Sequence, residues 1–110
     1  MTPLQKISRM TAAASEPVLE ESDLENLLAE FSRPDGEGRP PADLNWTPAY
    51  DYNAAAAEGW RWKAARASEM IAADLDGAKL SAEQLFEHCE RMIGVYSKRV
   101  KATVSIGETL

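Results

Sequence analysis

The sequence predicts a small all-α protein, a bundle of about four helices with a long Pro/Gly/aromatic loop and an extended C-terminal tail. Apolar residues recur at helical spacing in two segments, 24–31 and 85–100, and capping residues precede both segments. The length of 110 residues allows one small domain. We therefore expect residues 1–102 to form the helical domain and residues 103–110 to form a separate extended tail for docking.

The first two predicted helices are short. Residues 2–14 carry a weakly amphipathic pattern, which ends where Pro17 removes an amide donor. A second helix is predicted over residues 22–32, because Ser22 and Glu25 have the spacing of a capping box. Its apolar stripe consists of Leu24, Leu27, Leu28 and Phe31.

A loop of roughly twenty residues, 33–52, is predicted next, because glycines and prolines are dense in its first half. Loops of this length are uncommon in compact domains unless they have a function. Its second half contains the aromatic residues Trp46, Tyr50 and Tyr52, so we expect it to pack on the protein. Asp51 or Asn53 then caps an Ala-rich helix that runs to about residue 73.

The last predicted helix has the strongest apolar stripe and continues to about Val100. The segment 74–80 before it fits either a small hairpin or a simple helix–helix connection. Ser81 and Gln84 form a capping box at the start of the helix. Three cations at its end complement the helix dipole, namely Lys98, Arg99 and Lys101. The tail after residue 102 alternates apolar and polar residues, as an extended strand does.

Composition and charge exclude several classes of protein. No apolar run approaches the ~20 residues that span a membrane, and no secretory signal is visible at the N-terminus. The single cysteine fits a reducing compartment. The net charge of −6 argues against broad coating of nucleic acid. Leu, Ile, Val and Phe number only 20 residues, so the core is thin and a partner is expected to complete it.

The sequence offers no catalytic or metal-binding constellation, and we expect no enzyme activity, no metal and no cofactor. The only histidine, His88, is adjacent to Cys89, and neighbouring residues on a helix point about 100° apart. The pair therefore makes a poor nucleophile and base. One His and one Cys are too few ligands for a zinc site.

Two tryptophans in the Ala-rich helix indicate a protein interface. Trp60 shares a face with small residues that suit a core, whereas Trp62 lies about 200° around the helix. Trp62 either packs on its own loop, through Tyr50 or Trp46, or anchors a contact with another chain. The candidate interface residues are Trp62, Arg66, Glu69, Tyr50, Val104, Ile106 and Leu110. For the tail, the alternatives are docking as a strand on a neighbour's sheet and plain disorder.

Parts of the sequence resemble the small head–tail connector (adaptor, or head completion) proteins of tailed bacteriophages. One such part is TPAYDYNAAAAEGW at 47–60. Others are DLDG at 74–77, LSAEQ at 80–84 and YSKR at 96–99. In that family a short acidic helix and a Pro/Gly loop precede an Ala-rich helix, and a final helix ends in a basic cluster. The same order covers about residues 20–102.

The resemblance implies a virion structural protein, located at the neck and assembled in the bacterial cytoplasm. Copies of the chain, typically about twelve, would form a ring beneath the portal protein and support the neck or tail completion protein. The tail from Val104 to Leu110 would dock on the portal. The ring would extend the DNA channel, and an acidic lumen would let duplex DNA pass without specific binding because carboxylates repel phosphates.

Two other functions remain open from the sequence alone. The first is a small cytoplasmic helical adaptor or regulator that binds one protein through the face of Trp62. The second is nucleic-acid binding by the cations of the last helix, although the helix dipole already accounts for those charges. These cations are Arg91, Lys98, Arg99 and Lys101.

Overall fold

Helices form the framework of the structure, a computed structural model that describes residues 1–72 and 78–109. That part of the chain contains four helices, α1 (Pro3–Met10), α2 (Glu21–Glu30), α3 (Tyr52–Ala72) and α4 (Ala78–Thr109). Helices α3 and α4 pack along each other, and α1 and α2 pack on α3. The predicted all-α class is confirmed. Of the predicted connection 74–80, residues 74–77 lie outside the described residues and 78–80 belong to α4.

Helix α1 starts at a capping box and ends earlier than the sequence pattern predicts. The Thr2 hydroxyl accepts a hydrogen bond from the amide of Gln5, at 3.1 Å. At the other end Ala12 has a φ of +47°, in the left-handed region that stops a helix. The amide of Ala13 then donates to the carbonyl of Ser8, at 3.0 Å, which closes the helix end.

Helix α2 carries the predicted stripe but not the predicted cap. It begins one residue before Ser22, so the Ser22–Glu25 capping box is wrong. The chain is extended at Glu20, whose amide donates to Asp23 Oδ2 at 2.8 Å. A carboxylate within the first turn also suits the helix dipole. Three leucines of the stripe are buried, as predicted, namely Leu24, Leu27 and Leu28.

The long loop is closed at its base. Ser32 and Tyr50 form an isolated antiparallel bridge, and the amide of Arg33 donates to the carbonyl of Ala49 at 2.8 Å. Asp51 ends the loop and caps α3, because its Oδ1 accepts the amide of Ala54 at 3.1 Å. Of the two predicted caps, Asp51 is therefore confirmed.

The carboxylate of Asp35 organises the interior of the loop. It accepts the backbone amides of Glu37, Arg39 and Thr47, at 2.9, 2.9 and 3.0 Å, and the Nε of Arg39 at 3.0 Å. These donors, with the Thr47 amide contributing most, hold the pKa of Asp35 well below its usual range. Asp35 is buried, so one side chain joins the two halves of the loop.

The core lies between α3 and the other three helices. Trp60 is 3% exposed, and its indole nitrogen donates to the carbonyl of Met10 at 3.0 Å. Gly59 allows this close approach, because a Cβ there would lie 2.7 Å from Cγ2 of Thr11. Other buried members include Ile7, Leu27, Ala55, Ala56 and Cys89.

Helix α4 is longer than predicted at both ends. It begins at Ala78, so Ser81 lies inside the helix and the predicted Ser81–Gln84 cap is wrong. It continues to Thr109, so the predicted extended conformation of residues 103–110 is also wrong over 103–109. A helix satisfies its own backbone hydrogen bonds, whereas a single strand needs a partner strand. Within the described residues, no helix combines the length and apolar character needed to cross a membrane.

Candidate protein-interaction site

Trp62 lies half-buried on α3 and packs against the edge of the core. Its indole nitrogen donates to Oε1 of Glu58, one turn earlier, at 3.1 Å. The two aromatic residues proposed to cover it, Trp46 and Tyr50, pack edge to face on each other with ring centroids 5.8 Å apart. Trp62 thus combines a satisfied polar atom with a partly exposed ring.

Arg66 connects α3 to α2 within the chain. Its guanidinium donates to the carbonyl of Val18 and, at 3.0 Å, to Oδ2 of Asp23. Burial raises the pKa of Asp23, but hydrogen bonds from the Glu20 amide and Arg66 lower it by more than burial raises it. The pKa of Asp23 is therefore below its usual value. Arg66 therefore contributes to the fold, while Glu69 on the same helix is exposed and accessible to a partner.

Tyr50, one of the predicted interface residues, lines a cavity in the described part of the chain. Between α2 and the loop lies a groove of about 420 Å³, here called the α2–loop groove. Its lining includes Glu25, Leu28, Ala29, Pro41, Trp46 and Tyr50. The indole nitrogen of Trp46 is already bound to the carbonyl of Arg33, at 2.8 Å, so this residue offers the groove mainly apolar surface.

Sequence patterns pointed only partly to this groove. The three aromatic residues of the loop indicated that it packs on the protein, and Trp46 and Tyr50 do so. The sequence patterns could not show that Leu28 and Ala29 form the opposite wall of the groove, because that placement depends on the bridge between Ser32 and Tyr50.

The remaining predicted interface residues belong to the C-terminal end of α4. The backbone of Val104 and Ile106 is helical, but their side chains and the whole of Leu110 lie outside the described residues. Val100 lines one cavity together with Ala54 and Ala57 and therefore lies opposite the start of α3. Residues 101–109 continue the helix past that point by about 13 Å.

Lys63 is a buried polar residue that the sequence patterns did not identify. Its side chain is 0% exposed, and Nζ donates to the carbonyls of Thr11, Ala12 and Ser15 at 2.9, 2.6 and 3.2 Å. Nζ also lies 4.5 Å from the ring centroid of Trp60. Burial lowers the pKa of Lys63. These contacts attach the segment after α1 to α3.

His88 and Cys89 occupy different environments. The His88 ring packs edge to face on Trp60, with centroids 5.3 Å apart, whereas Cys89 is 1% exposed. Burial raises the pKa of the Cys89 thiol, which favours the unreactive protonated form. Within the described residues, no group of three or more His, Cys, Asp or Glu side chains is placed to hold a metal ion.

Charge is unevenly distributed over the possible interaction surfaces. Between Met10 and Arg33 the sequence has six carboxylates and no Lys or Arg. The predicted placement of Lys98, Arg99 and Lys101 at the C-terminus of the last helix is wrong, because α4 continues about two turns further, to Thr109. Lys98 in this cluster is exposed. The segment around α2 is therefore acidic, while a basic cluster lies at positions 98–101 of α4.

Comparison with protein-family models, curated protein sequences and solved structures gave no match to this chain.

Proposed function

We propose that the protein is a structural subunit of a tailed bacteriophage, forming a ring that connects the portal to the neck or tail and extends the DNA channel. The order of elements supports the proposal. A short acidic α2, a Pro/Gly loop, an Ala-rich α3 and a long α4 that contains a basic cluster follow one another in the order that the resemblance implies.

The observation that carries the proposal is the extension of α4 beyond α3. Val100 lies opposite the first turn of α3, and the helix runs on to Thr109. A subunit of a ring needs an element that reaches a neighbouring protein, and this helical end is such an element. Docking would then use a helix in a groove rather than an added strand.

The adaptor function through the face of Trp62 has less support. Trp62 donates its indole hydrogen to Glu58, and Arg66 is bound to Asp23 and Val18. These polar groups already have partners within the chain. A partner protein at this face would therefore contact mainly Glu69 and the exposed part of the Trp62 ring.

Co-expression with the portal encoded in the same genome tests the proposed function. We expect a tagged portal to capture the protein in several copies, counted by native mass spectrometry. Deletion of residues 103–110 should abolish capture, while the exposed-site variant E83K, at the other end of α4, should leave it unchanged. No capture of the full chain, or equal capture of the shortened chain, contradicts the proposal.

A DNA titration separates the channel role from nucleic-acid binding. Under the proposal, duplex DNA at low salt should not bind the purified protein, because the net charge is −6. Binding that weakens as salt is added would instead favour a nucleic-acid function for the cations of α4.

A further inference from the structure

Another cavity lies where the start of α3 meets α1, the base of the loop and α4. Its volume is about 660 Å³, which is the size of a small-molecule site, and we call it the α1–α3 cavity. Each of the four segments contributes to its lining, through Met10, Tyr50, Asn53 and Val100 among others. Because its walls belong to packed elements of the fold, a ligand would find the cavity already formed, which lowers the entropic cost of binding.

The charged lining of the α1–α3 cavity is more positive than negative, although the whole chain has a net charge of −6. The lining has two cations, Lys6 and Arg33, and one carboxylate, Asp51. Both oxygens of Asp51 are engaged, Oδ1 by the amide of Ala54 and Oδ2 by the guanidinium of Arg33. Among the described residues, no carboxylate forms an ion pair with Lys6. The cavity therefore favours an anion.

Two tyrosine rings place apolar surface beside this charge. Tyr50 and Tyr52 pack edge to face, with ring centroids 5.8 Å apart. The ammonium of Lys6 lies 4.1 Å from the centroid of the Tyr52 ring, within the range of a cation–π contact. Met10 and Val100 add aliphatic surface to the lining. A ligand in this cavity would thus meet a positive charge and an apolar wall together.

Three polar side chains of the lining are available to a ligand. Within the part of the chain that the structure describes, the hydroxyls of Tyr50 and Tyr52 and the side-chain amide of Asn53 make no hydrogen bond. Burial, and then the neighbouring Tyr50, raise the pKa of Tyr52, so its hydroxyl keeps its proton at neutral pH and can donate. Donors beside a cation suit the oxygens of a carboxylate, a sulfonate or a phosphate.

We propose that the α1–α3 cavity binds a small amphipathic anion, a molecule with one acidic group and a flat apolar body. The acidic group pairs with the ammonium of Lys6 and with the N–H groups of Arg33 that Asp51 leaves free. The apolar body lies against the rings of Tyr50 and Tyr52. This binding does not depend on assembly into a ring, so the purified full chain suffices to test it.

Titration with anilinonaphthalene sulfonate, a fluorescent aromatic anion, tests the site. We expect its emission to rise on binding to the wild type. K6E should weaken binding by roughly fivefold to tenfold, because it replaces the unpaired cation by a carboxylate, whereas K6R should bind as the wild type does. The control R91E makes the same charge change at an exposed position of α4 outside the lining and should alter the affinity by less than about twofold.

Amide chemical shifts of isotope-labelled protein locate the bound probe independently of the variants. The amides of Lys6 and Tyr52 should shift on titration, whereas those of Leu28 and Ala29, in the α2–loop groove, should not. Thermal melting checks that each variant remains folded. Failure of the wild type to bind the probe, equal affinities of K6E and R91E, or shifts centred on Leu28 and Ala29 would each overturn the proposal.

Discussion

The ammonium of Lys63 lies 2.6 Å from the carbonyl oxygen of Ala12, at a position where no part of the lysine side chain reaches solvent. Ala12 is also the residue whose left-handed backbone ends α1. The turn that stops the first helix thus presents its carbonyl to the third helix. The carbonyls of Thr11 and Ser15 complete the set of acceptors.

Replacing Lys63 should therefore lower the free energy of unfolding by more than replacing an exposed lysine of a helix does. K63M keeps much of the side-chain volume but removes the ammonium from three carbonyls, of which, among the described residues, only that of Ala12 keeps a backbone donor, the amide of Ser15. We therefore expect a loss of about 2–4 kcal/mol in the free energy of unfolding. Urea denaturation measures this loss. The control K98M, at an exposed position of α4, should change stability by less than about 0.5 kcal/mol. Equal stabilities for K63M and K98M would contradict a stabilising role of the buried ammonium.

Two helical glycines should respond in opposite directions to the same substitution. A Cβ at Gly59 would lie 2.7 Å from Thr11 and 3.1 Å from Leu27, so G59A should lower stability by about 1–3 kcal/mol. At Gly94 a Cβ meets nothing within 4 Å, so G94A should raise stability by about 0.5–1 kcal/mol through helix propensity. Thermal and urea unfolding of both variants measure the difference. A stabilising G59A would show that α1 and α3 do not approach as closely as described.

The order of the long loop should depend on the charge of Asp35. Its pKa in the folded protein is lower than in an unfolded chain, where it is about 4, so the carboxylate stabilises the fold above that pH. This stabilisation is lost as the pH falls through the lower pKa of the folded state. Unfolding free energies of the wild type and D35N across acidic pH should therefore converge at the acid end.

At neutral pH the same substitution should loosen the loop. D35N weakens the acceptance of amide hydrogens from Glu37, Arg39 and Thr47, so proteases should cleave the segment 36–48 faster than in the wild type. The control D43N weakens only one contact, the acceptance of the Asn45 amide by an exposed side chain, and should have a smaller effect. Identical cleavage rates for D35N and the wild type would show that the carboxylate is not what orders the loop.

The thiol of Cys89 should be inert in the native protein. It is 1% exposed and burial raises its pKa, so both access and thiolate content are low. A thiol reagent should modify Cys89 of the native protein at a rate roughly a hundredfold or more below the rate measured in denaturant. The variant A65C, which places a thiol at an exposed position, is expected to react rapidly at its added cysteine. Rapid native labelling of Cys89 itself would contradict the described packing.

Apolar periodicity predicted the fold class because it reports which face of each helix is buried. The stripe that includes Leu24 and Leu27 marked α2 correctly, and Asp51 marked the start of α3. Helix ends were less predictable. Ala12 ends α1 in a conformation that glycine usually adopts, and α4 passes Ser81 although that residue is a good cap.

Features built from hydrogen bonds to backbone groups were not predictable from the sequence. Lys63 binds carbonyl oxygens, which every residue has, so no spacing of side chains marks its site. Asp35 likewise binds mainly backbone amides. The α2–loop groove was predicted only as far as Tyr50, since its other wall comes from the pairing of Ser32 across the loop base.

The hydrogen bonds from Lys63 to the three carbonyls also bear on the order in which the chain acquires structure during synthesis. The ribosome makes α1 and the carbonyls of Thr11, Ala12 and Ser15 some 48 to 52 residues before their ammonium. The indole nitrogen of Trp60, which donates to the carbonyl of Met10, is likewise made 50 residues after its acceptor. The hydrogen bonds from Trp60 and Lys63 that hold the end of α1 therefore cannot form until α3 has left the ribosome, although the segment they hold is made first.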